Sequence, residues 1–406
     1  MNRLYCVLFL HFTLTICHAE PALVLSQASI SERISSQNPD LKAARWKIQE
    51  ALGQMNQAGR LARPRLEVQG ASAANLRDRN FSVGLAASFP VTNRLLWEKS
   101  LGKATLEAAE MEVKTVEAQL VATAREQFIK ALALKSRRQL IIAQQKEAND
   151  FAEQMQKSAE RAEASLLDAG QAQLETASFL IEQKQIDAEE ISILTELKKL
   201  LGMNPQDAIV VGGELPPVMK ASVGNISQRV DYQLAVREVR AASQEFGLAQ
   251  MNRYDDIEAG VFVSGERRED MPGGFRSDFL LGFKLSIPLP FWNDNSGNIQ
   301  SAEAKLQRRK QEALAISAQA SHLANGANAE MEQWEKLLFQ ISNTLLPLAE
   351  QQTKLCKDAY LQGQGDIQAI FRSQSLKRKL SLNQLDALRE YHLARVRYES
   401  ATAAKP

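Results

Sequence analysis

Phe81-Ser82-Val83-Gly84-Leu85-Ala86-Ala87-Ser88-Phe89 decides the fold, together with Phe279-Leu280-Leu281-Gly282-Phe283-Lys284-Leu285-Ser286-Ile287. In the first stretch Phe81, Val83, Leu85, Ala87 and Phe89 alternate with Ser82, Gly84, Ala86 and Ser88. In the second, Phe279, Leu281, Phe283, Leu285 and Ile287 share one face. Asp278, Gly282, Lys284 and Ser286 share the other, with Leu280 the exception. Ile257, Ala259, Val261 and Val263 alternate in the same way with Glu258, Gly260, Phe262 and Ser264. Arg65 to Asn75 is a paler version, with Leu66 and Val68 against Glu67 and Gln69. A period of two means strands with one apolar and one wet face. Each runs about 9–11 residues, the length of a tilted membrane-spanning strand. The connections Leu76-Arg77-Asp78-Arg79 and Glu266 to Arg276, with Pro272-Gly273-Gly274, are polar and read as hairpin loops.

Alternation alone also suits two ordinary hairpins packed on a soluble core. The setting favours the membrane. These strands are islands in a helical chain, and no spare apolar helical face of matching width stands beside them. Four strands cannot close a barrel, and open edges cannot sit in lipid. About eight strands is the minimum. The chain is therefore expected to pool strands with copies of itself, and three copies of four make a barrel of twelve.

The N-terminus supplies an export signal. Arg3 is a positive n-region, Leu4 to Ile16 an apolar core, and Cys17-His18-Ala19 places small residues before a cleavage point. The apolar run of about 13 residues is short for a transmembrane helix, which needs about 20. A second reading makes Cys17 a lipidated residue, against which the bulky Ile16 counts. Cleavage after Ala19 removes one basic residue, so the formal charge of +1 becomes neutral. Of the three cysteines only Cys356 then remains, which rules out an intramolecular disulfide.

Working outward from the strands, the mature chain repeats one plan. Residues 20–202 hold a medium helix from Pro39 to Leu61, a hairpin at about 65–90, a very long helix and a return helix. Residues 203–229, with Gly212-Gly213 and Pro216-Pro217, form a linker wrapped around the outside. Residues 230–406 repeat the order, with a helix from about Val230 to Met251 and a hairpin at about 257–289. Asn93 to Ala162 has no proline, and Leu106, Ala109, Val113, Val116 and Leu120 mark a helical seam. Its roughly seventy residues span about 105 Å. Asn298 to Leu361 spans about 95 Å, with a kink or break expected near Pro347. The fold class is thus mainly α with a small β part: long helical hairpins forming a tube, plus four membrane strands per chain. Each long helix ends in a turn that restarts a helix. Ser165-Leu166-Leu167-Asp168 has capping-box form, and after Gly363-Gln364-Gly365 the residue Asp366 caps the next helix.

Composition excludes other classes. Lys+Arg 49 against Asp+Glu 48 leaves no basic excess to attract nucleic acid. No phosphate loop, dinucleotide fingerprint, HExxH or CxxC occurs, so no enzyme, cofactor or metal site is expected. His322 and His392 are far apart. His392, beside Glu390, Tyr391 and Arg395, reads as a solvated or inter-helix contact.

These residues resemble the TolC family of outer membrane efflux proteins over nearly all of the mature length. The resemblance rests on the export signal, Asn38-Pro39-Asp40-Leu41 opening a helix, the duplicated plan and the tip Tyr360-Leu361-Gln362-Gly363. The most specific stretch, Pro288-Leu289-Pro290-Phe291-Trp292-Asn293-Asp294-Asn295-Ser296-Gly297-Asn298-Ile299, looks like the strand-to-helix junction of the CzcC-like cation-efflux branch. There Pro288 and Pro290 end strand pairing, and Asn295 and Gly297 turn the chain into the tube. The resemblance implies a homotrimer in outer membrane lipid, reaching through the periplasm of a Gram-negative cell. It also implies a periplasmic adaptor and a proton-driven inner-membrane pump as partners. Metal cations are one candidate cargo. A channel for protein or peptide secretion, or a non-channel coiled-coil scaffold, are the alternatives. Arg161, Ser165, Asp168, Tyr360, Gly363, Gly365, Asp366 and Arg372 form the tips expected to gate and to dock the adaptor. Two departures stand out: Ala162 and Ala164 replace glycines that the family prefers. Ala369 and Arg372 occupy positions where well-known members carry pore-lining acids.

Overall fold

A computed structural model describes residues 23–404 apart from 75–77, 163, 271–272 and 290, with backbone only at Asp270. The expected leader 1–19 with Cys17, the loop residues Leu76, Arg77 and Pro272, and Pro290 of the junction lie outside the described residues.

The chain opens with a short strand β1 (Leu23–Leu25) and helices α1 (Gln27–Gln37) and α2 (Pro39–Gln57). Strands β2 (Arg65–Ser72) and β3 (Arg79–Phe89) follow, then α3 (Arg94–Glu160), a single helix of 67 residues. With no interior proline it runs straight on for about 100 Å. The return helix α4 (Leu166–Leu200) has 35 residues and covers only part of it. The rest is covered by α2 and by α5 (Val230–Met251), which follows the short strand β4 (Ile209–Val211). This packing is tight. A Cβ on Gly247 of α5 would lie 2.2 Å from the Trp97 ring of α3. After β5 (Ile257–Asp270) and β6 (Gly274–Ser286) come α6 (Ser296–Gln340), α7 (Leu346–Leu361) and α8 (Ile367–Thr402).

The break expected near Pro347 is a widened π turn, Ile341–Leu345, between α6 and α7. Pro347 has no N–H to give the preceding turn, and the wider turn absorbs the missing bond without ending the helix.

β2, β3, β5 and β6 form one antiparallel sheet in that order. Strand lengths correct the sequence reading. β5 and β6 run to Asp270 and from Gly274, so most of the expected loop Glu266 to Arg276 is strand. Its charges pair along the strands instead of marking a turn: Arg268–Glu266 at 2.8 Å and Arg276–Asp278 at 3.2 Å. β2 stops at Ser72, short of Asn75. α2 stops at Gln57, short of Leu61, because Gly59 turns the chain at φ +72 against the Leu95 carbonyl.

The main core lies where the N-terminal segment and the end of α4 meet the long helix α3. Leu25, Ile30, Ile34 and Leu41 pack with Val113, Phe128, Leu132, Leu197 and Leu201. Asn38 is buried at its centre, accepting from the Leu41 N–H at 2.9 Å and donating to the Leu200 carbonyl at 2.8 Å. β1 pairs in parallel with β4, which gives the segment 203–229 a strand that the sequence reading did not contain. That segment lies on α8. Tyr391 donates to the Met219 carbonyl and His392 Nε2 lies 2.8 Å from the Pro216 carbonyl. His392 is 2% exposed, so it is a buried contact under the linker and not a solvated one.

Candidate functional site

The sheet has two chemically distinct faces, and register fixes both. Opposed residues across the four strands form rows: Leu66–Leu85–Val261–Phe283, then Val68–Val83–Val263–Leu281, then Gly70–Phe81–Gly265–Phe279. Phe279, Leu281 and Phe283 are 82–85% exposed, so none of the described residues covers this band. The alternate rows are wet: Arg65–Ala86–Gly260–Lys284, Glu67–Gly84–Phe262–Gly282 and Gln69–Ser82–Ser264–Leu280. On this face Arg65 pairs with Glu258 at 2.5 Å, and Lys284 lies 3.3 Å from Glu67 and 3.6 Å from Glu258.

The band has the height of a membrane. The pair Phe89–Ile257 at the helical end and the pair Arg79–Arg267 at the far end are ten residues apart in register. At about 3.3 Å per residue and a tilt of about 40°, that is about 25 Å along the membrane normal, the height of an outer-membrane apolar band. Among the described residues, both edges of the sheet, β2 and β6, lack a partner strand within the chain. An apolar sheet with open edges is stable in lipid only when closed by further strands.

At the other end of the long helices lie the tips. Arg161 ends α3 and Ser165 caps α4, its Oγ accepting from the Leu167 N–H at 3.1 Å. The reciprocal half of a capping box is not made. Asp168 instead accepts from the Tyr360 hydroxyl at 3.5 Å, which joins the two turns. Burial, and next the Asp168 carboxylate, hold the Tyr360 phenol above its ordinary pKa. Gln368 donates to Gln171 at 2.6 Å beside this contact, and Arg378 pairs with Glu175 at 2.7 Å. Beneath it Phe151 meets Phe371 edge-on at 6.1 Å. Asp366 caps α8 through the Gln368 N–H at 3.1 Å. Gly363 turns at φ +70, and a Cβ on Gly365 would meet the Tyr360 backbone N at 2.8 Å. Ala162 takes the same left-handed turn at φ 60 without being glycine. Arg161 and Arg372 are exposed, and among the described residues neither makes an ion pair with Asp168 or Asp366 within the chain. The sequence singled out the turn residues. It missed Phe151, Phe371, Gln171 and Gln368, whose only signal is their position one to three helical turns from the tips.

The strand-to-helix junction is built from polar turns. β6 ends two residues before Pro288. Asn295 adopts φ 62 and its Nδ2 donates to the Ala249 carbonyl at 2.9 Å, tying the start of α6 to α5. Asp294 accepts from the Ser296 N–H, and hydrogen bonds from Ser296 hold its carboxyl below the usual range. Gly297 lies in the first turn of α6 with open space around it.

Among the described residues no helix is long and apolar enough to cross a membrane, and no three His, Cys, Asp or Glu converge to hold a metal ion.

Long helices joined to a four-strand apolar sheet point to one architecture. The fold is that of the outer membrane efflux channels. The family of that description, outer membrane efflux protein, matches residues 30–203. The solved outer membrane protein VceC from Vibrio cholerae superposes with a TM-score of 0.76 at 17% identity, covering 93% of this chain and 96% of its own. CusC gives a TM-score of 0.78 at 18% identity over 95% of this chain and 93% of its own. The open state of the MtrE channel of Neisseria gonorrhoeae gives 0.71 at 15% identity, covering 93% and 89%. No curated protein matches the sequence. CusC is described as forming a transmembrane channel and MtrE as an outer membrane channel.

Proposed function

We propose that the chain is the outer membrane channel of an efflux assembly, conducting solutes passively from the periplasm to the exterior. One observation carries this: a 25 Å apolar sheet face with open edges stands at one end of helices about 100 Å long. Open edges call for self-association, and three copies close a twelve-stranded barrel. The wet face then lines the lumen and the helical hairpins form the tube below it. Among the described residues the tips are where both helical hairpins reverse, which suits them to docking an adaptor and to sealing the pore. The Tyr360–Asp168 contact holds the two turns of one chain together. Arg161 and Arg372 lie exposed beside it, placed to reach the next copy. Each such exposed bridge contributes only about 0–1 kcal/mol, suitable for a gate that opens on docking. An adaptor and a proton-driven inner-membrane pump complete the path. Metal cations are the cargo class favoured by the junction Pro288 to Ile299 and its likeness to the cation-efflux branch.

The test uses cross-linking and planar bilayers. The purified protein should cross-link as a trimer and conduct at low level. Asp168→Ala and Arg372→Ala should raise conductance and antibiotic entry. A stable monomer in detergent sinks the channel reading. Wild-type conductance and efflux in both variants sinks the gate assignment alone. Hypersensitivity of a deletion strain to drugs but not to metal cations removes the metal cargo.

A further inference from the structure

Among the described residues the wet face of the sheet carries one aromatic ring, that of Phe262. Its row is Glu67–Gly84–Phe262–Gly282, with a glycine on either side. The ring leans towards one of them. A Cβ on Gly282 would lie 2.4 Å from the ring Cζ, and 2.7 and 2.9 Å from Cε1 and Cε2. Three such close values place that point over the ring face, because a point beyond the ring edge would leave both Cε atoms much further off than Cζ. The ring therefore lies flat on Gly282, with one face on the backbone and the other turned away from the sheet, and Phe262 is half-buried. Elsewhere the chain covers rings with its own cations: Arg267 over Phe275 at 4.2 Å and Arg378 over Phe179 at 5.1 Å. Among the described residues no cation or second ring covers Phe262 in this way.

On its other side Gly84 leaves bare backbone between the ring and Glu67. A cavity of about 480 Å³ opens there, and its wet-face lining includes Glu67, Gln69, Ser82, Gly84, Phe262 and Lys284. That lies within the range of roughly 300–1,000 Å³ found for small organic ligands. The charges at its edge balance. Glu67 and Lys284 meet at 3.3 Å with side chains 29% and 46% exposed. This is longer than the about 2.7–2.9 Å of a tight charged hydrogen bond, so the pair is open to exchange. A solute with a single charge is repelled by one of the two side chains. A solute that carries both an ammonium and a carboxylate gives each of them a partner.

Resting on the channel reading above, though not on the cargo class favoured there, we infer that Phe262, Glu67 and Lys284 form a binding site in the barrel lumen for an aromatic zwitterion. The solute's ring stacks on the free face of Phe262. Its ammonium goes to Glu67 and its carboxylate to Lys284, so two charged pairs replace one long one. The glycines make the site: Gly282 lets the ring lie down, and Gly84 leaves the room beside it. In a closed trimer the site recurs three times around the wall and holds a solute in transit.

The experiment is current interruption in planar bilayers. Wild-type trimer is inserted, and free tryptophan, tryptamine, indole-3-propionate and alanine are added in turn at neutral pH to the compartment on the barrel side. Tryptophan should occupy the channel about two- to tenfold more than alanine, the worth of one aromatic pair. It should also outlast both singly charged indoles. Phe262→Leu should bring tryptophan down to the alanine level. Glu67→Gln should move the preference to indole-3-propionate, and Lys284→Gln should move it to tryptamine. Equal occupancy by tryptophan and alanine in wild type overturns the site, even if every variant fails to fold. An unchanged order of the three indoles in both charge variants does the same. Occupancy kept in Phe262→Leu but lost in Asp168→Ala puts the binding at the tips and also overturns it. Failure of wild type to form channels at all is a different outcome, and brings down the channel reading itself.

Discussion

An arginine placed on the apolar face tests the central claim. The row Val68–Val83–Val263–Leu281 lies four register steps from Arg79–Arg267, and the row Leu66–Leu85–Val261–Phe283 lies six. With the same rise and tilt these rows are about 10 and 15 Å below the outer rim of a 25 Å band, each within about 3 Å of its middle. Val83→Arg and Phe283→Arg should each cost about 2–4 kcal/mol per chain, the midplane value for a transmembrane barrel. That is a drop of about 30- to 800-fold in the folding equilibrium. Ser82→Arg, one residue away on the wet face, should cost far less. Phe89→Arg, at the helical end of the band, should fall near 0–1 kcal/mol. The assay is urea-titrated folding into vesicles, read as heat-modifiable mobility on gels, with trimer yield in outer membrane fractions as the cellular counterpart. Equal tolerance at positions 82, 83 and 283 would refute the argument. A hairpin packed on a soluble core would ignore depth and rank the sites by packing alone.

Three further outcomes follow from buried chemistry. Glu399 is 2% exposed and bridges Arg125 of α3 at 2.5 Å and Arg395 of α8 at 2.8 Å. Glu399→Ala strands two largely buried guanidiniums and should cost about 3–5 kcal/mol, seen as an earlier thermal transition, while Glu399→Gln should cost less. Burial above all, then the nearby Arg395, depresses the His392 pKa, although the Pro216 carbonyl and Glu399 act the other way. A depressed value means the stability from neutral His392 is full above its unfolded pKa of about 6.5 and is lost as pH falls below it. Unfolding followed from pH 7 to 5 should show that loss in the wild type and not in His392→Gln. Ala162→Gly should relieve a left-handed strain of about 1–2 kcal/mol. Part of this is offset by the greater freedom of glycine when unfolded, about 0.5–1 kcal/mol. Slower hydrogen exchange at the first tip is the expected sign, and faster exchange refutes it.

Much of this was legible because it is local. Phe81 to Phe89 reads as a strand in any context, since a period of two has no other regular solution. The caps at Ser165 and Asp366 are equally local. Legibility failed wherever partners are distant in sequence. Leu23–Leu25 and Ile209–Val211 are three residues each, too short to signal a strand, and they pair only because the fold brings them together. Asp168 looked like half of a capping box until Tyr360 reached it from the other hairpin. His392 sits among charged neighbours on its own helix, which suggested water. The linker that buries it comes from 176 residues away. The far end of the second hairpin was misread for the opposite reason. Its residues are polar because they stand clear of the apolar band, not because the strand has ended.

The glycines of the wet face show how the sheet and the tube divide the work. Gly84 and Gly282 lie in one row with Phe262 between them. A Cβ on Gly282 would come within 2.4 Å of the Phe262 ring, and one on Gly84 within 2.8 Å of the Phe262 Cβ. The ring therefore lies down along the sheet over Gly282 instead of standing away from it. With Ser82, Ser264 and the paired charges of Arg65, Glu67, Glu258 and Lys284 around it, this face of the sheet is low and internally neutralised. As the lumen wall of the proposed channel, such a face would offer no barrier to a hydrated solute of either charge. On the channel reading proposed above, selection and closure would then fall to the opposite end, where the chain turns at Ala162 and Gly363. That division follows from small residues in the wall and tight turns at the tips, both fixed by the identity of single positions.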